Sequence, residues 1–324
     1  DPLPDSILNQ TELLLNELSK QTYIALGQIS LFSDNDKAIL INDYLSNFIK
    51  KKKELILKLS LMPFPDSPIE TYQHALLSGD LSARSNALEI LDNLLPIETR
   101  EIVMPLFDEL DLREKIEKGT HLVDSVTSNK DIVKQWLYSQ EDWLTAIALD
   151  YRLNNLDEAW DIDWKRVSKG PKVQELCSSF LTKNDSPLKT LNDFPLKEFK
   201  LHDISMYSTL EKTIFMKGVD LFHDISGEEV SHVAQIAEEI QFSTGDVIFE
   251  EGDVGDSMFI IIDGSVKIHK GNKEIATLSK GKFIGEMALL DQEPRSASVT
   301  ATNDTILLQI NREDFYDLMA SRME

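Results

Sequence analysis

The hydrophobic period of this chain changes once, near Ile240, and that change limits what it can fold into. Before it, apolar residues recur every three or four positions, as on one face of a helix. After it, short runs alternate apolar and polar between glycine turns, as in strands. Val266 and Ile268 alternate with Lys267 and His269, for example. A chain with both periods in separate blocks must build two kinds of core. The fold class expected is multidomain α and α+β. It comprises an N-terminal α-solenoid or helical bundle, then a C-terminal jelly-roll-like β-barrel flanked by helices.

Residues 1–185 carry the helical block. Asp5 or Ser6 can cap a first helix, and a longer helix is expected from Asp36 to Leu59. The basic run Lys50–Lys53 reads as a solvated face of that helix. A helical hairpin comes next, with Glu70–Leu77 and the Ala83–Leu94 segment joined at Ser78-Gly79-Asp80. Its pattern recurs about 61 residues later, where Leu77, Asp80, Ala87, Leu88 and Glu89 correspond to Leu137, Glu141, Ala148, Leu149 and Asp150. Residues 96–118 and 169–184 supply further helices. In this recurrence the block resembles HEAT-type repeats, which implies stacked helical pairs. Residues 186–207, with Pro187 and Pro195, read as a linker. Residues 208–324 form the third segment. Ser208 and Glu211 fit a capping box at its start. Strands are expected at 239–243, 247–250, 258–262, 265–269, 274–278, 297–302 and 305–310, and a last helix after Asn311. Gly252, Gly255 and Gly264 read as turn glycines.

Composition removes several classes of function. With 56 acidic against 33 basic residues the net charge is −23. That is unsuited to nucleic acid or to an anionic membrane surface. The six histidines show no metal-ligand spacing, so neither a metal nor a cofactor is expected, and the ligand-binding histidines of a cupin are missing. No nucleophile–base pair or triphosphate loop stands out, so the chain reads as a non-enzyme. Cys177 is the only cysteine, which fits a reducing, cytoplasmic setting. Trp136, Trp143, Trp160 and Trp164 read as packing residues. No apolar run is long enough to span a membrane. The chain starts with Asp1, so a piece of a longer protein is expected.

Residues 283–298 carry the chemistry. Gly285 lets backbone approach a ligand closely. Met287, Ala288, Leu289 and Leu290 can form a helical turn whose free N–H groups attract an anion. Arg295 is the only arginine between Arg166 and Arg312, in a region where acids outnumber bases more than two to one. Its planar fork suits phosphate oxygens. A carboxylate facing a phosphate would repel it, so Glu286 makes sense as acceptor for a nearby hydroxyl, such as a ribose 2′-OH. Arginine for a phosphate and glutamate for a sugar describe a nucleotide. The competing reading pairs Arg295 with Asp291 or Glu293 on the surface.

The run Gly285-Glu286-Met287-Ala288, then Pro294-Arg295-Ser296-Ala297-Ser298, resembles the phosphate-binding cassette of the cyclic-nucleotide-binding domain family. Phe249–Phe259 and Asp263–Val266 resemble that family's early strands, and the likeness covers residues 208–324. The resemblance implies that Arg295 binds the exocyclic phosphate oxygens and that Glu286 holds the ribose 2′-hydroxyl. By it, Gly285, Met287 and Ala288 border the sugar-phosphate, Ser296 and Ala297 offer N–H groups, and Ser298 lies near the base. It further implies a closing lid helix, expected to be absent from this sequence. The function expected is a non-catalytic regulatory module for cAMP or cGMP, coupled to the helical domain or to a protein partner through it. The alternatives are a scaffold whose barrel is silent, a DNA-binding activator disfavoured by charge, and the soluble part of a membrane transporter. For the last, Ser82–Pro96 resembles the tail of bacterial nucleotide (ATP/ADP) translocase-type transporters.

Overall fold

The structure is a computed structural model, and it describes residues 4–64, 67–77, 81–123, 128–155, 160, 162–183, 207–290 and 294–322. The turn at Ser78-Gly79-Asp80 and the expected linker, apart from Tyr207, lie outside the described residues. The chain divides into two compact units, Asp1–Val133 and Lys134–Glu324. The sequence reading places its division at 185. The difference comes from helices before 185 that pack within the second unit.

The first unit is helical. It contains α1 (Asp5–Phe32), α2 (Ile39–Leu61), α3 (Ile69–Leu77), α4 (Leu81–Leu94), α5 (Ile97–Phe107) and α6 (Leu112–Gly119), and α7 (Asn129–Leu137) straddles the division. A short 3-10 turn, Asp36–Ala38, precedes α2, with the Asn35 side chain accepting from the Lys37 N–H. Helix α1 packs on α2, α5 and α6, and α2 also packs on α3 and α5. Leu15, Leu18, Phe32, Leu45, Ile56, Leu57 and Phe107 are buried between them. These are the apolar stripes that the helical period sets on one face. The Tyr23 hydroxyl donates to the Ile102 carbonyl at 2.9 Å, which ties α1 to α5. Asp111 and Glu114 form a capping box at the start of α6. The lysine run does not share one environment. Lys50 and Lys51 are exposed, but Lys53 is half-buried, with its ammonium 4.9 Å from the centre of the Phe107 ring. The solvated-face expectation therefore fails at Lys53, because its position on α2 turns it toward α5.

The second unit begins with helices and ends in two sheets. Helix α8 (Asp142–Asn154) packs on α9 (Pro171–Thr182), and α9 packs on α10 (Thr209–Lys217). Asp142 accepts from the Lys172 and Val173 N–H groups at 2.9 and 3.4 Å and so caps α9. Glu175 of α9 accepts from the Thr209 N–H and hydroxyl at 2.7 and 2.8 Å. Ser179 donates to Glu211 at 3.0 Å, and Lys183 pairs with the same carboxylate. These bonds satisfy the start of α10 from α9, which is why the pre-185 helices belong with the later part of the chain. The expected capping box of Ser208 and Glu211 is present. The recurring helical pattern thus falls in both compact units. What the structure shows is a helical N-terminal region.

The strands are β1 (Glu238–Phe242), β2 (Val247–Phe249), β3 (Ser257–Asp263), β4 (Ser265–Lys270), β5 (Lys273–Ser279), β6 (Phe283–Ile284), β7 (Ser298–Ala301) and β8 (Thr305–Asn311). They form two antiparallel four-stranded sheets, in the orders β1-β8-β3-β6 and β2-β7-β4-β5. Phe259, Ile261, Ile284 and Leu307 of the first sheet share a core with Val266 and Val299 of the second, so the sheets form a sandwich. The other face of the first sheet carries Met258, Ile260, Ile262, Leu308 and Ile310. Residues of α10 and α11 (Gly227–Ile236), including Met216, Val230 and Ala234, cover it. Strand β3 is therefore buried on both faces, and Met258–Ile262 reads as an unbroken apolar run. The unit also contains α12 (Met287–Leu290) and α13 (Arg312–Arg322). Among the described residues, no helix is long and apolar enough to cross a membrane.

Candidate ligand site

Strand β6 ends at Ile284, and the chain turns at Gly285 into α12. It returns at Pro294, where a single bridge pairs Val254 with Pro294. The backbone of Arg295 is held from both sides. Its N–H donates to the Asp253 carbonyl, and its own carbonyl accepts from the Gly252 N–H, each at 2.8 Å. The Asp253 side chain fixes that turn by accepting from the Glu250 N–H at 2.8 Å. Arg295 thus starts from an anchored backbone, and its side chain points inward.

Two glycines shape the slot for the guanidinium. Gly285 has φ +73°, and a Cβ there would lie 2.3 Å from Arg295 Nη1 and 3.2 Å from the Ser257 carbonyl oxygen. A Cβ on Gly255 would meet Arg295 Cζ at 3.1 Å and the Ala288 Cβ at 3.0 Å. Gly255 therefore eases this close approach, whereas Gly252 and Gly264 adopt the left-handed turn conformation.

The guanidinium lies 4.2 Å from the centre of the Phe249 ring and 5.9 Å from that of Phe259, and these two rings stack on each other. Nη2 donates to the Ser257 carbonyl at 2.6 Å and to its hydroxyl at 3.4 Å, and Nη1 donates to the Gly285 carbonyl at 3.3 Å. Among the described residues, no carboxylate lies within ion-pair distance of Arg295, and its Nε–H has no acceptor. Burial lowers its pKa from the usual arginine value, while Asp256, Asp253 and Glu286 oppose that shift. Asp291 and Glu293, the acids of the surface-pair reading, lie outside the described residues. Arg295 itself is only 9% exposed, against the expectation of a surface arginine.

A cavity of about 350 Å³ opens beside this slot. Gly285, Glu286, Met287, Ala288, Arg295, Ser296 and Ala297 all line it, so the structure brings seven of the eight expected residues together. Phe249, Ile268, Leu278 and Val299 supply an apolar wall. Ser298 does not line the cavity; its hydroxyl accepts from the Glu251 N–H at 2.9 Å. The donor set of the turn is smaller than expected. The Ala288 and Leu289 N–H groups bond to the Gly285 and Glu286 carbonyls at 3.1 and 3.0 Å. Those of Glu286 and Met287 have no protein acceptor among the described residues. Helix α12 also walls a second, largely apolar cavity of about 970 Å³, where Leu289 faces Leu318 and Met319, and Glu286 lines both. Among the described residues, no group of histidines, cysteines or acids could hold a metal.

The sequence reading missed Phe249 and Phe259 as partners of Arg295. No local signal marks them, because β2 and β3 meet the arginine only after the sheets close.

Residues 239–322, which hold this site, match the family described as the cyclic nucleotide-binding domain. The chain is similar to the cyclic AMP receptor protein of Thermus thermophilus, at 38% identity over 109 residues, 32% of this chain and 50% of that protein. It is also similar to the cAMP-dependent protein kinase regulatory subunit of Hypocrea atroviridis, at 34% identity over 105 residues, 32% of this chain and 23% of that protein. The solved regulatory domain of Toxoplasma gondii PKA with cAMP shares 28% identity. That match covers 35% of this chain and 46% of the other, with a TM-score of 0.33. The chain therefore spans half the length or less of each of these proteins.

Proposed function

We propose that the segment 208–324 binds a purine cyclic nucleotide, cAMP or cGMP, and acts as a regulatory module without catalysis. The observation that carries this reading is Arg295. It is a buried cation with no paired carboxylate among the described residues, held against Gly285 at the wall of a cavity. Burying a charge without a counter-ion is costly, and a phosphate diester anion supplies one. In this reading Arg295 and the N–H groups of Glu286 and Met287 bind the phosphate. Ser296 and Ala297 lie alongside, and Glu286 accepts from the ribose 2′-hydroxyl. The apolar wall of Phe249, Ile268 and Leu278 faces the rest of the nucleoside. With its hydroxyl bonded to Glu251, Ser298 serves the base only if that bond is exchanged.

Regulation requires that the ligand favour one conformation over another. A phosphate bound to the guanidinium shares it with the Gly285 carbonyl, so ligand binding is coupled to the turn into α12. The proposed output is the helical region of residues 1–185, read as HEAT-like pairs, or a protein that binds it. Calorimetry of the full chain with cAMP, cGMP and 2′-deoxy-cAMP tests the reading. Saturable binding of at least one ribonucleotide is expected, with weaker binding of the 2′-deoxy analogue. In Glu286→Gln that difference shrinks. No binding of either ribonucleotide sinks the proposal.

A further inference from the structure

The first unit contains a cluster of positive charge that the nucleotide site does not use. Lys53 of α2 and Arg84 of α4 meet at Phe107, the C-terminal end of α5; Lys115, whose charge acts on both, lies on α6, which packs on α5. Arg84 Nη2 donates to the Phe107 carbonyl at 2.6 Å and reaches the Asp108 carbonyl at 3.5 Å. Lys53 rests on the ring of the same phenylalanine. All three side chains are half-buried.

Their charge is poorly compensated. Among the described residues, none of the three has a carboxylate within 4.0 Å, although the chain has 56 acids to 33 bases. Arg84 Nε is buried without a hydrogen-bond acceptor. Burial chiefly, and then the nearby charges of Lys115 and Arg84, lowers the pKa of Lys53 to about 8. Lys115 is shifted the same way by burial and Arg84, and only Asp108 and Glu109 oppose this from a distance. The end of a helix accounts for one cation here, through its free carbonyls. It does not account for three that lack acids in so acidic a chain.

We propose that Lys53, Arg84 and Lys115 form a second anion site, which takes the dianionic phosphoryl group of a small phosphate or phosphate monoester. Arg84 is fixed by Phe107 and contributes field; the two lysine ammonium groups supply point-charge donors. A dianion among them would cancel the mutual repulsion, which gives the site its affinity.

The test is NMR of the full chain with labelled lysine side chains, titrated with inorganic phosphate and separately with a sugar monophosphate. Arg295→Ala serves as the background, so that the nucleotide site contributes nothing. Saturable shifts of Lys53 and Lys115 are expected with at least one probe; stronger binding of the monoester identifies an ester as the occupant, and equal or stronger binding of phosphate identifies the free ion. The Lys53 pKa should rise on binding by about one unit, which corresponds to a tenfold gain in affinity for the protonated form. Lys53→Met keeps the stem over Phe107 and should weaken binding about tenfold while leaving the protein folded. No saturable shift with either probe, or equal binding by Lys53→Met, overturns the proposal. So does a Lys53→Met variant that melts well below its parent while phosphate leaves the parent's melting point unchanged. That result would make the cluster a helix cap only.

Discussion

Arg295, at the proposed nucleotide site, and the Lys53 cluster both place positive charge in an acidic chain, and they are built in opposite ways. Arg295 is compensated by two stacked rings and three protein acceptor contacts, and its neighbours in sequence form the cavity it faces. Lys53, Arg84 and Lys115 come from three helices and are compensated by one ring and the end of α5. The first arrangement holds one cation in a fixed pose and leaves an exchangeable bond to Gly285. The second crowds three cations and leaves them repelling. A preorganised single charge gives geometry, and a crowded cluster gives field.

The comparison can be broken most decisively at Arg295. Arg295→Ala should lose roughly 2–5 kcal/mol of cyclic-nucleotide binding free energy, the range for truncating a buried charge partner. Calorimetry that finds the same affinity in mutant and wild type would remove the residue from the site. Next in size is Gly285→Ala. Its Cβ would collide with Nη1 at a φ that side chains rarely adopt, so a loss of about 1–3 kcal/mol in urea unfolding is expected, with weaker nucleotide binding. A variant as stable as the parent would mean that the slot yields without cost.

Phe249→Leu sharpens the role of the ring. It keeps the apolar wall and removes the quadrupole under the guanidinium, so both stability and nucleotide affinity should fall by about 0.5–2 kcal/mol. An unchanged affinity with lowered stability would reduce Phe249 to packing. The smallest effect concerns Lys53, whose pKa is lowered to about 8 from 10.5. The unfolded chain then holds more protons than the native one between these values, so stability rises with pH across that window. Lys53→Met lacks this gain. The difference between wild type and Lys53→Met in unfolding midpoint should therefore shift in favour of wild type from pH 8 to 10.5. A flat difference would show that neither burial nor the neighbouring cations lower the Lys53 pKa in the folded protein.

Much of the second unit is legible in the sequence. The alternation at Val266–Ile268 and the paired glycine turns locate seven strands because pleat and turn chemistry are local. The Ser208 capping box is found for the same reason. Strand β6 escapes the sequence reading because two residues carry no period, and its existence depends on Phe259 and Ile260 lying opposite. Helix α11 escapes it too, although Ser226 and Glu229 form a capping box that sequence could have revealed. The division at 185 rests on composition. The compact units instead reflect bonds such as Glu175 to Thr209, which join residues far apart in the chain.

By itself the sequence determined the helical block, the strand block, and the juxtaposition of Gly285, Glu286 and Arg295. Each of these rests on residues close along the backbone, where propensity and spacing act directly. Only the tertiary structure decided that Arg295 lies on Phe249 rather than in solvent, and that Lys53 leaves its lysine run to meet Arg84 and Lys115. Those outcomes depend on which side chains share a desolvated space, and that is settled only when separate elements close on one another.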